Sequence, residues 1–317
     1  MKNPVYPLQI PYYQQTLRDS FTCIGVGLHT GLKVIMTVMP GEANSGYRFV
    51  RRDIASDRNE ILAAWHTVSD THLCTTVRNK MGVRVSTVEH LIAALHACGV
   101  DNARIVLDGP EVPIMDGSAA PFVQLIESVG VKQLAEERKV IVVKNRVKVV
   151  DGEKEASFTP SLVPHIALYI DFESRAIGRQ FMSLQVNVEN FKHQIANART
   201  FGFAGQLSTL KKLGFARGGS LHNAVLVSDH GVVNGDGLRY ENEFVRHKIL
   251  DCIGDLALAG SHILGFYRAK YTGHKLNNNL LHELLRNPNA YEYLSMREVA
   301  ARCVIPSDQD AVQVCQR

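Results

Sequence analysis

The predicted secondary-structure elements of this 317-residue chain come in the same order twice, first strands and then helices. The β-branched stretch 32–39 is typical of a strand, and the segment 86–98 is typical of a helix that Gly99 ends. The predicted strands are 32–39, 102–107, 140–150, 166–172, 223–228 and 262–271, and the predicted helices are 86–98, 120–129, 244–260 and 278–286. This order predicts two α+β domains, each with helices on one face of a sheet.

The polar run Lys132–Lys139 is the best candidate for a linker between the two domains. Strand-like sequence resumes directly after it at 140–150. We therefore expect an N-terminal α+β domain over residues 1–135 and a C-terminal α+β domain over residues 136–317.

Composition and charge exclude several classes of protein. Apolar residues make up 45% of the chain and the formal net charge is only +4, without the cationic stripe typical of a nucleic-acid binder. The first 13 residues contain three prolines and no apolar core of an export signal, and no stretch approaches the roughly 20 apolar residues of a membrane span. The six cysteines form no CxxC pair, so we expect free thiols and a cytoplasmic protein.

The predicted helix 244–260 carries the sharpest chemical signal. His247 and Asp251 are four residues apart, which puts them on one helical face about 5–6 Å apart at Cβ, and Asp255 continues the same stripe. Two such side chains can hold one metal ion. By spacing alone, a solvent-facing His–Asp pair is the commoner explanation. However, the helix is apolar over much of its surface, so its carboxylates cannot all face water and need partners.

Two further stretches contain candidate groups whose spacing leaves alternatives open. Ser86 and Glu89 fit a capping box, in which Glu89 only starts a helix and His90 is an ordinary residue of its first turn. A neutral imidazole is favoured at a helix N-terminus, and this is the form that binds metal. His274 follows Gly273 on a predicted loop, where most histidines are surface residues, although its ordinary pKa of about 6.5 suits proton transfer.

Three other segments are unusual in composition. The glycine-rich segment 25–31 lacks the spacing of either nucleotide fingerprint, so we discount it as a phosphate loop. Asp116, in the turn 113–118, is expected to cap that turn or to support a site indirectly. The segment 218–220 contains two glycines, which predicts a close approach of its backbone to another segment, such as a strand.

Taken together, six segments resemble a known enzyme family. They are GVGLHTG (25–31), STVEHLIAAL (86–95), PIMDGSAAPF (113–122), ARTFGF (198–203), GLRYENEFVRHKILDCIGDL (237–256) and GHKLNNNLL (273–281). In this order, and over nearly the whole chain, they are similar to the UDP-3-O-acyl-N-acetylglucosamine deacetylases. That family carries out the committed step of lipid A synthesis in Gram-negative bacteria.

The resemblance implies a fold and a metal site. The fold would be two similar α+β domains with their helices between the two sheets and the active site at the domain interface. His90, His247 and Asp251 would be the zinc ligands, leaving one position for water as in catalytic zinc sites. Iron(II) is a possible occupant in the cell, because histidine and carboxylate ligands suit both metals.

The resemblance also implies residue roles. Glu89 would be the general base, and His274 the general acid, oriented by Asp255. Thr200 would donate a hydrogen bond to the oxyanion, and Lys248 would add positive charge near the reaction centre. The implied substrate-binding residues are Phe201, Lys144, Cys74 and Gly219, and the segment 181–207 would form the passage for the acyl chain.

The implied partner is therefore an amphiphilic UDP-sugar, with no nucleic acid and no membrane-spanning segment, and the family expectation is a monomer. Two alternatives remain open. One is a metal hydrolase of the same fold that acts on another acylated amino sugar. The other is a non-catalytic protein that binds a nucleotide sugar or RNA and has a structural His–Asp pair; its purified form would hold less than roughly one tightly bound metal ion per chain.

Overall fold

A computed structural model describes residues 10–303, without the side chain of Cys303. The strands are β1 (Tyr13–Leu17), β2 (Phe21–Val26), β3 (Lys33–Pro40), β4 (Tyr47–Arg51), β5 (Glu60–Leu62), β6 (Val68–Asp70), β7 (Thr76–Arg78), β8 (Arg84–Val85), β9 (Ala103–Leu107), β10 (Val131–Glu137), β11 (Lys139–Val143), β12 (Val147–Asp151), β13 (Lys154–Thr159), β14 (His165–Asp171), β15 (Arg179–Gln185), β16 (Phe201–Phe203), β17 (Val225–Ser228), β18 (Gly231–Val232), β19 (Ile263–Leu264), β20 (Phe266–Lys270) and β21 (Tyr291–Ser295). The α-helices are α1 (Glu89–Ala97), α2 (Ala120–Val129), α3 (Val188–Asn190), α4 (Leu207–Lys212), α5 (Glu243–Ala257), α6 (His274–Leu285) and α7 (Met296–Cys303).

Two five-stranded sheets have the same topology. The first has the order β2-β3-β9-β4-β5 and the second β12-β13-β20-β14-β15. In each sheet, only the pair of the third and fourth strands is parallel, namely β9–β4 and β20–β14. This repeated pattern confirms the prediction of two similar α+β units.

The helices bury the apolar faces of both sheets. In β3, Val34, Met36 and Val38 are fully buried, as the period of two in a half-buried strand requires. Helix α5 contacts α1 and also packs on β14 and β15, while α6 packs on β12 and β13. Buried side chains from both sheets and from these helices form one continuous core. In the described part of the chain, no helix is long and apolar enough to cross a membrane.

The predicted linker 132–139 was wrong. Residues 131–137 form strand β10, which pairs antiparallel with β1, and β11 begins two residues later. Most β10 side chains are exposed, so this strand is held mainly by its backbone hydrogen bonds. Such a strand lacks the apolar alternation that identifies strands in a sequence, and composition alone therefore indicated a linker.

Two predicted strands are each divided between different sheets. The stretch 140–150 contains most of β11 and most of β12. Strand β12 belongs to the second large sheet, whereas β11 pairs with β19 and β21. Likewise, 262–271 contains β19 and β20, separated by Gly265, whose missing side chain leaves room for Val143. Apolar periodicity shows that a segment is extended, but it does not show which strand the segment pairs with.

Helices α1 and α5 approach each other closely at Gly254. A Cβ atom at this position would overlap the backbone carbonyl of Glu89, at the first residue of α1. The absent side chain therefore allows the N-terminus of α1 to lie directly against α5. This contact fixes where the first turn of α1 lies relative to the side chains of α5.

We expect Gly254→Ala to destabilise the protein, although alanine is ordinarily the better helix former by about 1 kcal/mol. The added Cβ meets backbone atoms rather than a flexible side chain, so the helices must separate, at a cost of about 1–3 kcal/mol. Thermal unfolding measures the effect. Gly205→Ala is the matched control, because a Cβ there meets nothing within 4 Å. Equal melting temperatures for the two variants would show that α1 and α5 are not closely packed at Gly254.

Candidate functional site

Two helices bring three buried potential metal ligands together. His90 lies in the first turn of α1, and His247 and Asp251 lie on one face of α5. One ligand atom from each lies within 4.8 Å of the others, and within residues 10–303 this is the one such cluster of histidine, cysteine or acidic side chains. Asp251 Oδ1 is 3.5 Å from His90 Nε2 and 3.3 Å from His247 Nε2.

The protonation of these groups favours binding a cation. His247 Nδ1 lies 3.0 Å from the Ala198 carbonyl oxygen, which makes Nδ1 the protonated nitrogen and leaves the Nε2 lone pair directed at Asp251. Burial lowers the pKa of His247 to about 4, so the ring is neutral. Burial opposes ionisation of Asp251, but its hydrogen-bonding and cationic neighbours, Lys248 among them, outweigh burial and hold the pKa of this carboxyl well below its ordinary value.

The donor set therefore fits a divalent metal ion. Two imidazole nitrogens and one carboxylate oxygen suit zinc and also iron(II). His90 Nδ1 is buried and has no hydrogen-bond partner among the described residues. The predicted cluster of three ligands is thus assembled from the two halves of the chain, and the alternative of a solvent-facing His–Asp pair is wrong, because all three residues are buried.

Lys248 lies beside this cluster. Its Nζ donates to Asp251 Oδ2 at 3.0 Å, while Oδ1 of the same carboxylate is the atom close to both histidines. Burial lowers the pKa of Lys248, but Asp251 outweighs burial and the pKa is raised overall. The lysine is therefore charged, and it orients the carboxylate by occupying one of its oxygens.

Glu89 and His274 lie beside the cluster. Glu89 is 3% exposed, and its Oε1 is 3.7 Å from His274 Nε2. Burial raises the pKa of Glu89. His274 Nδ1 lies 2.8 Å from Asp255 Oδ2. Burial lowers the pKa of His274, but Asp255 and then Glu89 outweigh burial and raise it to about 9.

The capping-box alternative for Glu89 is wrong. The Glu89 carboxylate accepts a hydrogen bond from the Thr75 backbone N–H at 3.1 Å, whereas the Ser86 N–H donates to the Pro110 carbonyl. The residue preceding the helix, Val88, has no capping side chain. Glu89 therefore points away from its own helix start and into the site.

The predicted loop position of His274 is also wrong. Helix α6 begins at His274, four residues before the predicted start, and Gly273 is its N-cap. The side chain is only 10% exposed, because the first turn of α6 packs against α5. The asparagine-rich stretch 277–279 obscured this turn in the sequence, because asparagine is a weak helix former.

Thr200 and Phe201 follow the segment that holds His247. The Thr200 N–H donates to the Gly117 carbonyl, and the Thr200 carbonyl accepts from Val225. The Phe201 ring lies 6.3 Å from the His247 ring and 5.0 Å from Phe244, measured between centroids. The predicted acyl-passage segment 181–207 thus places an aromatic side chain beside the ligand cluster, near the C-terminal end of the segment.

The three remaining predicted substrate residues lie in different places. Cys74 is buried near Glu89, and burial, followed by Glu89, raises the pKa of its thiol to about 12. A Cβ at Gly219 would lie 3.7 Å from Leu28, at the 25–31 segment. Lys144 is exposed at the end of β11, where its N–H donates to the Ala290 carbonyl, and no described contact joins it to the ligand cluster. Their roles stay predictions.

The segment 25–31 is a structured loop whose backbone groups are already occupied. The N–H groups of His29 and Thr30 both donate to the Glu111 carboxylate at 2.8 Å, which agrees with discounting it as a phosphate loop. A Cβ at Gly218 would overlap the Gly27 carbonyl. The predicted close approach at 218–220 is thus to this loop and not to a strand.

Sequence reasoning missed two residues of this region. Glu111 is fully buried and also accepts from the Thr87 hydroxyl, so it joins the 25–31 loop to the residues just before α1. His29 lies close enough to His274 for the two rings to influence each other electrostatically, and burial lowers the pKa of His29. A buried carboxylate in the sequence GPEVP gives no periodic signal, since its hydrogen-bond donors lie on segments distant from it in the chain. The Asp116 carboxylate accepts a hydrogen bond from the Ser118 hydroxyl in its own turn and another from the Arg239 guanidinium at 2.8 Å.

Comparison with known proteins agrees with this geometry. The family model for UDP-3-O-acyl N-acetylglycosamine deacetylase matches residues 14–286. A protein of Geobacter sp. (strain M21) named UDP-3-O-acyl-N-acetylglucosamine deacetylase is 48% identical over 279 residues, covering 88% of this chain and 91% of its own length. Proteins of the same name from Myxococcus xanthus (strain DK1622) and Pasteurella multocida (strain Pm70) are 47% and 44% identical, covering 90% and 91% of this chain and 90% and 95% of their own lengths.

The match covers both five-stranded sheets, both crossing helices and every residue of the ligand cluster. Relatives at this level of identity, aligned over almost their whole length, share the family and not merely a motif. The chain belongs to the UDP-3-O-acyl N-acetylglycosamine deacetylase family.

Proposed function

We propose that this protein removes the N-acetyl group from UDP-3-O-acyl-N-acetylglucosamine, giving the free amine and acetate, as the committed step of lipid A synthesis. The observation that carries the proposal is the buried cluster of His90, His247 and Asp251 with Glu89 and His274 beside it. A metal-binding donor set next to a carboxylate and a cationic imidazole is what the hydrolysis of an unreactive amide requires.

His90 Nε2, His247 Nε2 and Asp251 Oδ1 are the proposed ligands of one zinc ion, and iron(II) suits the same donors. The bound metal supplies a Lewis acid that polarises the amide carbonyl and acidifies water. Lys248 keeps Asp251 ionised and turns one oxygen of its carboxylate toward the histidines. The hydrogen bond from His247 to Ala198 holds the ring with Nε2 free.

Glu89 is the proposed general base. Its carboxylate accepts the proton of the attacking water while the water oxygen bonds to the carbonyl carbon. Burial raises its pKa toward neutral pH, which makes it a stronger base than an exposed glutamate. The Thr75 N–H holds one of its oxygens, so that the other faces His274.

His274 is the proposed general acid. Its Nε2 donates a proton to the amide nitrogen as the C–N bond breaks, because an amide nitrogen cannot leave as an anion. Asp255 accepts from Nδ1 and thereby keeps the Nε2 proton directed at the site. The products are acetate and the sugar amine, which takes up the second proton of the water, and the proton on Glu89 returns to His274 to restore the acid for the next cycle.

Thr200 is the proposed hydrogen-bond donor to the carbonyl oxygen as negative charge develops on it. Its backbone is held on both sides, by Gly117 and by Val225, so the hydroxyl is presented from a fixed segment. Lys248, whose side chain is 15% exposed, adds a positive charge beside the same centre. Both roles reduce the cost of charge that appears only in the transition state.

Substrate recognition is proposed to follow from the segment 181–207 and its neighbours. Phe201 offers an apolar surface beside the ligand cluster for the acyl chain or the sugar. Cys74 and Gly219 are proposed to line the pocket, and Lys144 to meet the diphosphate. The amphiphilic substrate thus needs an apolar passage and a cationic partner on different sides of the reacting amide.

We also propose that the chain divides near residue 135 into its two α+β domains and places the active site between them. His90 comes from the first and His247 from the second. We propose that the protein works as a monomer in the cytoplasm. The described cysteine side chains Cys23, Cys74, Cys98 and Cys252 are all free thiols, as a reducing compartment favours.

Turnover of the acylated UDP-sugar, measured beside the same sugar without its acyl chain, tests the proposed function. We expect the acylated substrate to be preferred, with activity lost on treatment with a chelator and restored by zinc or iron(II). Equal rates on the two sugars would reject the lipid substrate and favour another amino-sugar hydrolase. Protein that binds no metal tightly and shows no activity would favour a non-catalytic sugar-binding or RNA-binding protein.

We expect the activity to fall as the pH rises through about 9, because the general acid His274 must be protonated to donate. His274→Ala should lose this basic limb of the pH–rate profile and about 10²–10⁴ in turnover. The profile of kcat/KM, recorded for both proteins with equal metal content, measures the effect. If the limb persists in His274→Ala, another group is the acid.

The same pKa predicts a pH dependence of stability. The folded-state pKa of His274 is about 9, above the ordinary value of 6.5, so its contribution to stability is fully present below pH 6.5 and disappears as the pH rises through 9. His274→Ala should therefore show a smaller loss of thermal stability between these pH values than the unchanged protein. An identical loss in both would show that His274 is not held as a cation.

A further inference from the structure

A buried hydrogen-bond network lies behind the Asp255–His274 pair. Its centre is Asn277, which is fully buried on α6, one turn after His274. Asn277 Nδ2 donates to Asp255 Oδ2 at 2.8 Å, and this is the same oxygen that accepts from His274 Nδ1. Asn277 Oδ1 accepts from the hydroxyls of Tyr267 and Thr272, both at 2.6 Å.

The chemistry of the partners fixes the orientation of the Asn277 amide. Ionised Asp255 can only accept, so the amide must present its NH2 group to that carboxylate. The amide oxygen then faces Tyr267 and Thr272, whose hydroxyls can donate to it. The reverse orientation would place the amide oxygen against a carboxylate oxygen with no proton between them. Two hydroxyls thus determine which end of Asn277 meets Asp255.

The network holds Asp255 from two sides of the molecule. Thr75, from the half of the chain that contains α1, donates its hydroxyl to Asp255 Oδ1 at 2.6 Å. Asn277 holds the other oxygen, and its own anchor Tyr267 lies on β20 in the second sheet. Asp255 is only 2% exposed, so a protein donor lost here is not simply replaced by bulk water.

We propose that Asn277 is a positioning residue, which fixes the Asp255 carboxylate against His274 and is itself oriented by Tyr267 and Thr272. The proposal deepens the proposed function and rests on it. Asn277 touches neither the substrate nor the ligand cluster in this arrangement. It acts through Asp255, by preventing the carboxylate from rotating away from the imidazole.

The consequence for His274 has a definite sign. The charged and titratable groups that face its ring are Glu89 from α1, Asp251 and Asp255 from α5, and His29 from the 25–31 loop. Asp255 makes the largest contribution that raises the pKa of His274. A carboxylate that can rotate away contributes less, so the loss of Asn277 should lower this pKa from about 9 toward its ordinary value.

The test replaces Asn277 by leucine, which has a similar branched shape and no hydrogen-bonding groups. We expect kcat to fall about 10- to 100-fold, with KM and metal content unchanged and the basic limb of the pH–rate profile moved to lower pH. Asn279→Leu, on the exposed side of the same helix, is the matched control and should change neither kcat nor the limb. Tyr267→Phe removes a single hydroxyl and should shift the limb in the same direction by less, which keeps the test available if Asn277→Leu does not fold.

A double-mutant cycle separates action through Asp255 from a general structural role. In an Asp255→Asn background, Asn277→Leu should cause little further loss of kcat, whereas an equal loss in both backgrounds would overturn the proposal. NMR titration of the His274 ring in the zinc-loaded protein needs no substrate. A His274 pKa unchanged in Asn277→Leu would also overturn it. If the unchanged protein does not act on the acylated UDP-sugar but Asn277→Leu still lowers the His274 pKa, this inference holds and the proposed function is rejected.

Discussion

Glu89→Gln should lose about 10²–10⁴ of the turnover while binding as much metal as the unchanged protein. Glutamine keeps an oxygen that can accept from the Thr75 N–H, so the local structure is preserved. It cannot accept the proton of the attacking water, so the step assigned to the general base fails. Single-turnover rates at saturating substrate, together with metal analysis of each preparation, measure the effect.

The control for Glu89→Gln is Glu127→Gln, an exposed carboxylate on α2 that pairs with Lys192. This variant should keep its kcat. If Glu89→Gln has the same kcat as the unchanged protein, the Glu89 carboxylate has a structural role and is not the general base. Burial raises the pKa of Glu89, so its deprotonation should form the acidic limb of the pH–rate profile. This limb should disappear in Glu89→Gln, because residue 89 then has no carboxylate.

Asp251→Asn should release the metal. The carboxylate is the one charged donor of the ligand cluster, and its loss also leaves the partly exposed Lys248 without its partner. We expect metal affinity to fall by a factor of 100 or more, on the order of 3 kcal/mol, with some loss of thermal stability from the unpaired lysine. Competition with a chromogenic chelator gives the affinity directly.

Asp255→Asn is the matched control for this change. Asp255 is equally buried, lies one turn further along α5, and bonds Thr75, Asn277 and His274 rather than the ligand histidines. It should keep full metal content while losing activity. Equal metal content in Asp251→Asn and Asp255→Asn would remove Asp251 from the ligand set.

The ligands could be predicted from sequence to different degrees. Helical spacing places His247 and Asp251 on one face of a largely apolar helix, although spacing alone favours a solvent-facing pair over two metal ligands. Placing His90 with them depended on family resemblance, since no local pattern indicates that α1 crosses α5 at Gly254. That contact joins residues far apart in the chain, and periodicity describes only neighbours.

The errors at Glu89 and His274 have a related cause. A capping box and a glycine-preceded loop are local interpretations, and each was reasonable for its own segment. Tertiary partners decided otherwise: the Thr75 backbone holds Glu89, and Asp255 holds His274 at the start of a helix. Glu111 was missed for the same reason, because its donors lie on other segments, in the 25–31 loop and at Thr87.

The division of the proposed ligand atoms between α1 and α5 should make the folded state itself responsive to metal supply. An ion that binds only when both helices are in place adds RT ln(1 + [M]/Kd) to the free energy of unfolding, about 2.7 kcal/mol when free metal is 100 times Kd. A cell that runs short of the ion therefore loses not only turnover but also part of the population of intact protein. If His90, His247 and Asp251 hold the ion as proposed, scarcity of the metal should speed removal of the protein by proteases that act on opened chains.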